Sequence, residues 1–111
     1  MEEVEIRDPV IIFKIHKAYR PHLTDAGILE VTNHAWVLGG RREKAQYALA
    51  TYHGKVVGVY TIISWHKDEE EPNRWVFDGE SAPEPIRNRY LNHTVEKYTK
   101  GTYGPMVYVN C

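Results

Sequence analysis

The sequence predicts an α+β fold, a small, mostly antiparallel β-barrel with flanking short helices. Three observations lead to this class. β-rich apolar runs recur at 10–16, 46–52 and 55–65, one helical pattern separates the first two runs, and a proline-led helical pattern follows the third. Several strands with few helices favour a closed sheet, because an isolated hairpin is only marginally stable. An open α+β sheet is the alternative architecture.

Length and composition predict a single domain over residues 1–111. A chain of 111 residues can bury one core, and its hydrophobic share of 42% and charged share of 26% are typical of globular proteins. No apolar run is long enough for a membrane helix, and the first residues lack the pattern of a signal peptide. Cys111 is the single cysteine, so no internal disulfide is expected. We therefore expect a cytoplasmic protein with no membrane partner.

The first half of the chain is predicted to form a strand, a helix and a hairpin. Val10 to His16 is rich in β-branched residues, which favours a strand. Thr24 is a candidate N-cap for a helix that ends near Asn33. The pair His53-Gly54 separates two β-rich runs, which predicts an antiparallel hairpin with this pair at its tip. Gly58, inside the second run, indicates a bulge or a close backbone approach.

The remaining segments are assigned by their turn and breaker residues. The segment "VLGGRREKA" is expected to form a turn, of which a helical turn is one form, with Gly39 and Gly40 supplying unusual backbone angles. An acidic loop follows the hairpin, and "RWVFDG" predicts a strand closed by Asp78-Gly79. "APEPIRNRYL" predicts a helix, "TVEKYTKG" a further helical turn and "PMVYVN" a last strand.

Charge is unevenly distributed along a chain whose net charge is only −1. Lysine and arginine outnumber acidic residues from 10 to 66, whereas acidic residues dominate from 67 to 84. The first block can therefore present a basic surface. A nearly neutral chain argues against a protein that coats DNA non-specifically, since such binding depends on many phosphate contacts.

The candidate site surrounds Trp36, which follows the predicted helix and precedes the basic run. The Trp36 ring either stacks on a nucleobase or fills the space between the helix and the hairpin. Arg41, Arg42 and Lys44 either hold phosphate or form an ordinary solvated turn. Trp65 and Trp75, which flank the acidic loop, are expected to pack in the core or at its rim.

Two further residues complete this candidate site. Asn33 and His34 lie at the predicted helix end, where their side chains can hydrogen-bond the edge of a base. No glycine-rich nucleotide fingerprint and no zinc-type histidine spacing occurs in the sequence. We therefore expect neither a cofactor nor a metal.

The motifs from "WVLGGRREKAQYALATYHGKVVGVYTIISW" through "RWVFDGESAPEPIRNRYL" to "GPMVYVNC" resemble those of a group of small uncharacterised prokaryotic proteins. Shared features are a tryptophan after a helix, a basic turn, a hairpin ending in tryptophan, a W-x-F-x-G strand and a terminal P-x-x-Y-V-N. Members of that group often carry arginine where this chain has Asn33 or His34, so a guanidinium contact to phosphate does not carry over to those positions.

More distantly, the layout resembles the PUA-like superfamily, which includes the ASCH, EVE and YTH domains. The segment "KVVGVYTI" is similar to the strand of ASCH and EVE domains that carries V-x-G-x-x-x-V. The resemblance implies a small pseudo-barrel that binds RNA, DNA or a modified nucleotide. Some ASCH members hydrolyse small modified nucleosides.

Nucleic-acid or modified-nucleotide binding is thus the favoured function, and two alternatives stay open. One is a small hydrolase acting on a modified nucleoside, with Asp78, Lys44 or a histidine in the acid–base role and Tyr90 or Lys97 as further candidates. It predicts turnover of a small molecule. The other is a protein-interaction module, such as a homodimer, which predicts that tryptophan exposure depends on protein concentration.

Overall fold

The computed structural model describes residues 3–16, 19–33 and 36–111. The strands are β1 (Val10–Lys14), β2 (Tyr47–Tyr52), β3 (Lys55–Lys67), β4 (Trp75–Ser81) and β5 (Met106–Val109). The helices are α1 (Asp25–Thr32), α2 (Glu84–Tyr90) and α3 (Glu96–Thr99), with a 3₁₀ helix (Gly40–Lys44) before β2. The predicted α+β class is confirmed at this level.

The five strands form one mixed sheet in the order β4-β3-β2-β1-β5. β1 and β2 are parallel, because the segment between them crosses over through α1, and the other three pairings are antiparallel. Among the described residues the edge strands β4 and β5 do not pair with each other. The sheet is therefore not closed, and the expected barrel is not confirmed; the architecture is that of the open alternative.

Both faces of the sheet are buried, which explains why β1 is continuously apolar. Val10 and Ile12 point to a cluster that includes Tyr90 of α2. Ile11 and Phe13 point to the opposite cluster. This second cluster also contains side chains from α1, from the segment after it and from β3, β4 and β5: Ile28, Leu29, Trp36, Trp65, Phe77 and Tyr108. The helices thus lie on both sides of one central sheet.

Three local predictions are confirmed. The Thr24 hydroxyl accepts a hydrogen bond from the backbone N–H of Gly27 at 3.1 Å, and α1 ends with Asn33 as its C-cap. The hairpin turns at His53 and Gly54, whose φ angles of 48° and 81° are those of a type I′ turn. The bulge near Gly58 is also present, because Ala50 pairs with Gly58 whereas the next residue of β2 pairs with Val56.

Gly58 also allows a close approach by its own strand neighbour. A Cβ at position 58 would lie 2.5 Å from the hydroxyl oxygen of Tyr60. The Tyr60 side chain is fully buried and its hydroxyl donates to the backbone oxygen of Asp25 at 2.9 Å. Gly58 therefore leaves the space in which Tyr60 ties β3 to the start of α1.

Two local predictions are wrong. Asp78-Gly79 does not close a strand, because both residues pair with β3 inside β4, opposite a bulge between Ile62 and Ser64. Gly39-Gly40 has no unusual backbone angles: Gly39 has a φ of −91°, and Gly40 begins the 3₁₀ helix. Each pair is held by its neighbours in an ordinary conformation. The first strand is also shorter than expected and ends at Lys14.

Candidate nucleic-acid interface

The two arginines of the 3₁₀ helix lie against aromatic rings from distant parts of the chain. The Cζ of Arg42 is 3.5 Å from the ring centre of Trp75, the first residue of β4. The Cζ of Arg41 is 4.5 Å from the ring centre of Tyr108 on β5. One short basic helix thus contacts both edge strands of the open sheet.

Arg42 is the more buried of the two cations. Its side chain is 14% exposed, and its Nη1 donates to the backbone oxygen of Gly39 at 2.8 Å. The Oε2 of Glu43 lies 3.0 Å from Nε, but the N–H does not point towards it, so this buried Nε has no aligned acceptor among the described residues. The Arg42 guanidinium is therefore held in place while one of its N–H donors, on Nε, is left without a hydrogen-bond acceptor among the described residues.

Arg41 is held by the residue two positions after the end of β5. Its Nε and Nη2 donate to the backbone oxygen of Cys111 at 3.0 Å and 2.6 Å. Burial raises the pKa of the Tyr108 hydroxyl and that of the Cys111 thiol, and the nearby Arg41 opposes both shifts. The thiol stays protonated near neutral pH and is unsuited to act as a nucleophile.

Trp36 pairs through its backbone with Trp75, whose ring contacts Arg42. Its ring centre is 5.0 Å from that of Phe13, and its Nε1 donates to the backbone oxygen of Thr32 at 2.8 Å. Its backbone exchanges two hydrogen bonds with Trp75, of 2.9 Å and 2.7 Å. Trp36 is half-buried, so it combines core packing with a partly exposed edge. Its main effect on the site is to position Trp75.

The other predicted site residues occupy different positions. Lys44 is exposed and has no ion pair or hydrogen bond within the described part of the chain. Asn33 is the C-cap of α1. Its backbone N–H donates to the oxygen of Leu29, and its side-chain amide nitrogen donates to the backbone oxygen of Glu30 at 2.9 Å. His34 lies outside the described residues. The aromatic–basic surface is therefore defined here by Trp36, Arg41, Arg42, Lys44, Trp75 and Tyr108.

Trp75 and Tyr108 were not predicted as binding residues. Trp75 was expected in the core or at its rim, and no local pattern connects either ring with the basic run. Their contacts depend on the positions of β4 and β5 in the sheet. The only sequence signal is their shared aromatic character, which suits an arginine partner.

An acidic loop lies beside this surface, between the end of β3 and Trp75. The Oδ2 of Asp68 accepts from the backbone N–H groups of Glu70 and Glu71, at 3.2 Å and 2.9 Å. The carboxylate of Glu71 lies 2.8 Å from Nε of Arg74. Because these acids weaken the positive potential nearby, attraction of an anion is confined to close range.

The residues considered for hydrolysis are not brought together. One oxygen of Asp78 accepts from Ser64 at 2.9 Å and lies 3.4 Å from Nδ1 of His66. The carboxylate is thus between hydroxyl and imidazole, whereas a nucleophilic triad needs the imidazole in the middle. Tyr90 is fully buried, and Lys97 is paired with Glu5.

Comparison of the chain with family models, with curated proteins and with solved structures finds no match in any of the three. None of the described helices is long and apolar enough to span a bilayer. Because a fold by itself does not specify a function, the function has to be inferred from the site.

Proposed function

We propose that this chain is a PUA-like module that binds nucleic acid or a modified nucleotide through the aromatic–basic surface. One observation carries the proposal: a single turn holds the Arg41 and Arg42 guanidinium groups against two aromatic rings, with the exposed Lys44 beside them. Guanidinium groups stacked in this way keep a planar face for a base and N–H groups for phosphate. A cytoplasmic location belongs to the same proposal.

The roles differ among the residues. Lys44 is exposed and supplies a phosphate contact, whereas Arg41 and Arg42 combine their structural contacts with contacts to the ligand. Trp75 and the partly exposed edge of Trp36 offer aromatic surface for one base. The neighbouring acidic loop disfavours long, non-specific tracks of phosphate, so recognition of one base or a short stretch fits best.

Support for a barrel-like arrangement comes from the same contacts. The edge strands β4 and β5 both contact the 3₁₀ helix, which supports the proposal of a sheet that curves towards this helix. The bulge beside Gly58 supports it as well, because bulges bend a strand and increase its twist.

The test is a fluorescence titration with single-stranded and duplex oligonucleotides, modified and unmodified, at two salt concentrations. We expect saturable quenching of tryptophan that weakens with salt. Lys44→Gln should weaken binding and lower the slope of log K against log salt by about 1. Lys55→Gln, which removes an exposed charge at the opposite end of β2, is the matched control and should leave the slope unchanged.

Two outcomes would overturn the proposal. One is the absence of a saturable signal at concentrations up to about 100 μM, well within the usual non-specific range. The other is an equal loss in Lys44→Gln and Lys55→Gln, which would indicate general charge attraction. Lys44 is exposed, so its replacement tests binding without disturbing the packing of Trp36 or Arg42.

A further inference from the structure

A cleft lies at the end of the sheet opposite the aromatic–basic surface, where the parallel strands β1 and β2 end. It has a volume of about 490 Å³ and is open to solvent. Lys14 and Thr51, near the ends of the two strands, line it. The loop after β1, the hairpin tip and the α3 region contribute His16, His53, Glu96, Thr99, Lys100 and Thr102. We call this the carboxyl-edge cleft.

This cleft is separate from the aromatic–basic surface. Arg41 and Lys44 precede β2, whereas Thr51 and His53 lie at and beyond its end. A six-residue strand spans roughly 17 Å at about 3.3 Å per residue. One short ligand group therefore cannot contact both regions at once.

The cleft concentrates groups that favour an anion. Lys14 Nζ donates to the backbone oxygen of Thr102 at 3.1 Å and to its hydroxyl at 2.5 Å, which fixes the ammonium at the cleft wall. Lys100 is a second cation and is exposed, and Glu96 is the one carboxylate among the described residues of the lining. Two lysines against one acid leave a positive excess even when the histidines are neutral.

The two histidines lie close together in this positive environment. The ring centres of His16 and His53 are 4.7 Å apart, and Nε2 of His16 is 3.4 Å from the backbone nitrogen of His53, which donates to it. Desolvation, His53 and Lys14 together lower the pKa of His16. Among the described residues, the other titratable or charged groups that contact His16 or share its cleft are Tyr52, Glu96 and Lys100.

We propose that the carboxyl-edge cleft binds a phosphate-class oxyanion. Lys14 and Lys100 supply the charge, the hydroxyl of Thr99 donates a hydrogen bond, and the Thr102 hydroxyl, which donates to the backbone oxygen of Thr99 at 2.6 Å, holds Lys14 in place. The chemistry is that of inorganic phosphate, of a phosphate monoester or of a terminal phosphate on a longer molecule. This site goes beyond the proposed function and does not depend on it.

Glu96 lines the cleft, and its negative charge allows a test in which binding should become stronger instead of weaker. Gly54 has a φ of 81°, and a Cβ there would lie 2.3 Å from Cγ of Glu96, so the Glu96 stem packs directly over the hairpin tip. Its carboxylate is thus held near the cleft and repels a bound anion. Removing this charge should strengthen binding, an effect that a purely structural role would not produce.

Binding is measured on the intact chain by NMR titration with sodium sulfate, inorganic phosphate, a nucleoside monophosphate and an oligonucleotide with or without a 5′-phosphate. With sulfate and inorganic phosphate we expect saturable shifts of the signals of residues that line the cleft, including His16, Thr99 and Lys100. Sulfate keeps its charge between pH 6 and 8, so tighter binding at pH 6 than at pH 8 reports protonation of His16, whose pKa is lowered in the free cleft. The ranking of inorganic phosphate against the monoester and the 5′-phosphorylated oligonucleotide identifies the source of the group, and either ranking supports the site.

Single charge changes then test the assignment. Lys100→Gln and Lys14→Gln should each weaken sulfate binding about tenfold, the value of one charged hydrogen bond. Glu96→Gln should tighten it, and Lys67→Gln, the same charge change at the other end of the sheet, should leave it unchanged. No saturable shift up to about 10 mM sulfate, or equal losses in Lys100→Gln and Lys67→Gln, would overturn the proposal.

The two proposals fail separately. Lys44→Gln should leave sulfate binding unchanged, and Lys100→Gln should leave the binding of an unphosphorylated oligonucleotide unchanged. If oligonucleotide binding is absent while sulfate still binds as described, only the proposed function is wrong. If sulfate binding is absent while Lys44→Gln impairs oligonucleotide binding, only the cleft assignment is wrong.

Discussion

Arg42 places its guanidinium carbon 3.5 Å from the ring centre of Trp75, which begins an edge strand of the sheet. The preceding residue, Arg41, contacts Tyr108 on the other edge strand. Strand pairing among the described residues does not close the sheet, and these two cation–aromatic contacts connect both of its edge strands to the same 3₁₀ helix. The basic turn therefore has a structural role as well as the proposed binding role.

Arg42→Gln should lower the free energy of unfolding by about 1–2 kcal/mol, because a largely desolvated cation–aromatic contact and the hydrogen bond to Gly39 are lost. Urea denaturation measures the change. Lys44→Gln is the control, and it should stay within about 0.5 kcal/mol of the wild type because its side chain is exposed. Equal stability of the two variants would show that the stacked arginine contributes nothing to the fold.

Gly58→Ala should destabilise the protein by about 1–3 kcal/mol, the usual cost of overpacking a core. The added methyl group would displace the ring of Tyr60 and with it the hydrogen bond to Asp25. Gly40→Ala is the matched control, since no atom lies within 4 Å of a Cβ built there. Thermal unfolding of both variants checks this, and an unchanged melting temperature for Gly58→Ala would contradict the close approach.

Tyr90→Phe should cost about 1–3 kcal/mol, because its buried hydroxyl accepts from the backbone N–H groups of Arg7 and Asp8 and donates to the Asp8 carboxylate. Hydrogen exchange at residues 7 and 8 should accelerate in the variant. Tyr103→Phe removes a hydroxyl from a side chain that is 97% exposed and should have no effect on either measurement. Unchanged exchange in Tyr90→Phe would show that other contacts anchor this segment.

Stability should fall as the solution is acidified through the pKa of an unfolded-state histidine, about 6.5. The pKa of His16 is lowered in the folded protein, so the unfolded chain binds this proton more readily and is favoured below that pH. The stabilisation is fully present at pH 8. It is lost as the pH falls from the unfolded-state pKa of His16 towards its lower folded-state pKa. His16→Gln should flatten this part of the profile in urea denaturation at pH 5 to 8. Parallel profiles for the variant and the wild type would refute a contribution from His16.

Elements defined by a few neighbouring residues were predictable from the sequence. The Thr24 cap, the turn at His53-Gly54 and the bulge beside Gly58 each depend on local chemistry. Strand neighbours were not predictable in this way. The parallel pairing of β1 with β2 depends on how the chain crosses over through α1, which no local pattern encodes. Asp78-Gly79 shows the same effect, because pairing with β3 overrides its preference for a turn.

The candidate site was predictable as a set of residue types and not as a set of contacts. The basic run and Trp36 do lie at one end of the sheet, but the arginines contact Trp75 and Tyr108. Those rings arrive from β4 and β5, whose positions follow from the whole topology. Likewise, Lys14 and Lys100 line the same cleft only because β1 and the α3 region end beside the same hairpin tip.

The place of β5 has a consequence for biosynthesis. Strands β2, β3 and β4 are neighbours in sequence and can assemble from short-range contacts. Val10 of β1, in contrast, pairs with Val109 of β5, a residue far away in the sequence. Until residues 106–109 have left the ribosome, the backbone of the most apolar strand keeps an open edge. Such an edge is a template for pairing with another nascent chain. Aggregation during translation, rather than loss of the finished fold, is therefore the hazard that changes in β5 would raise first.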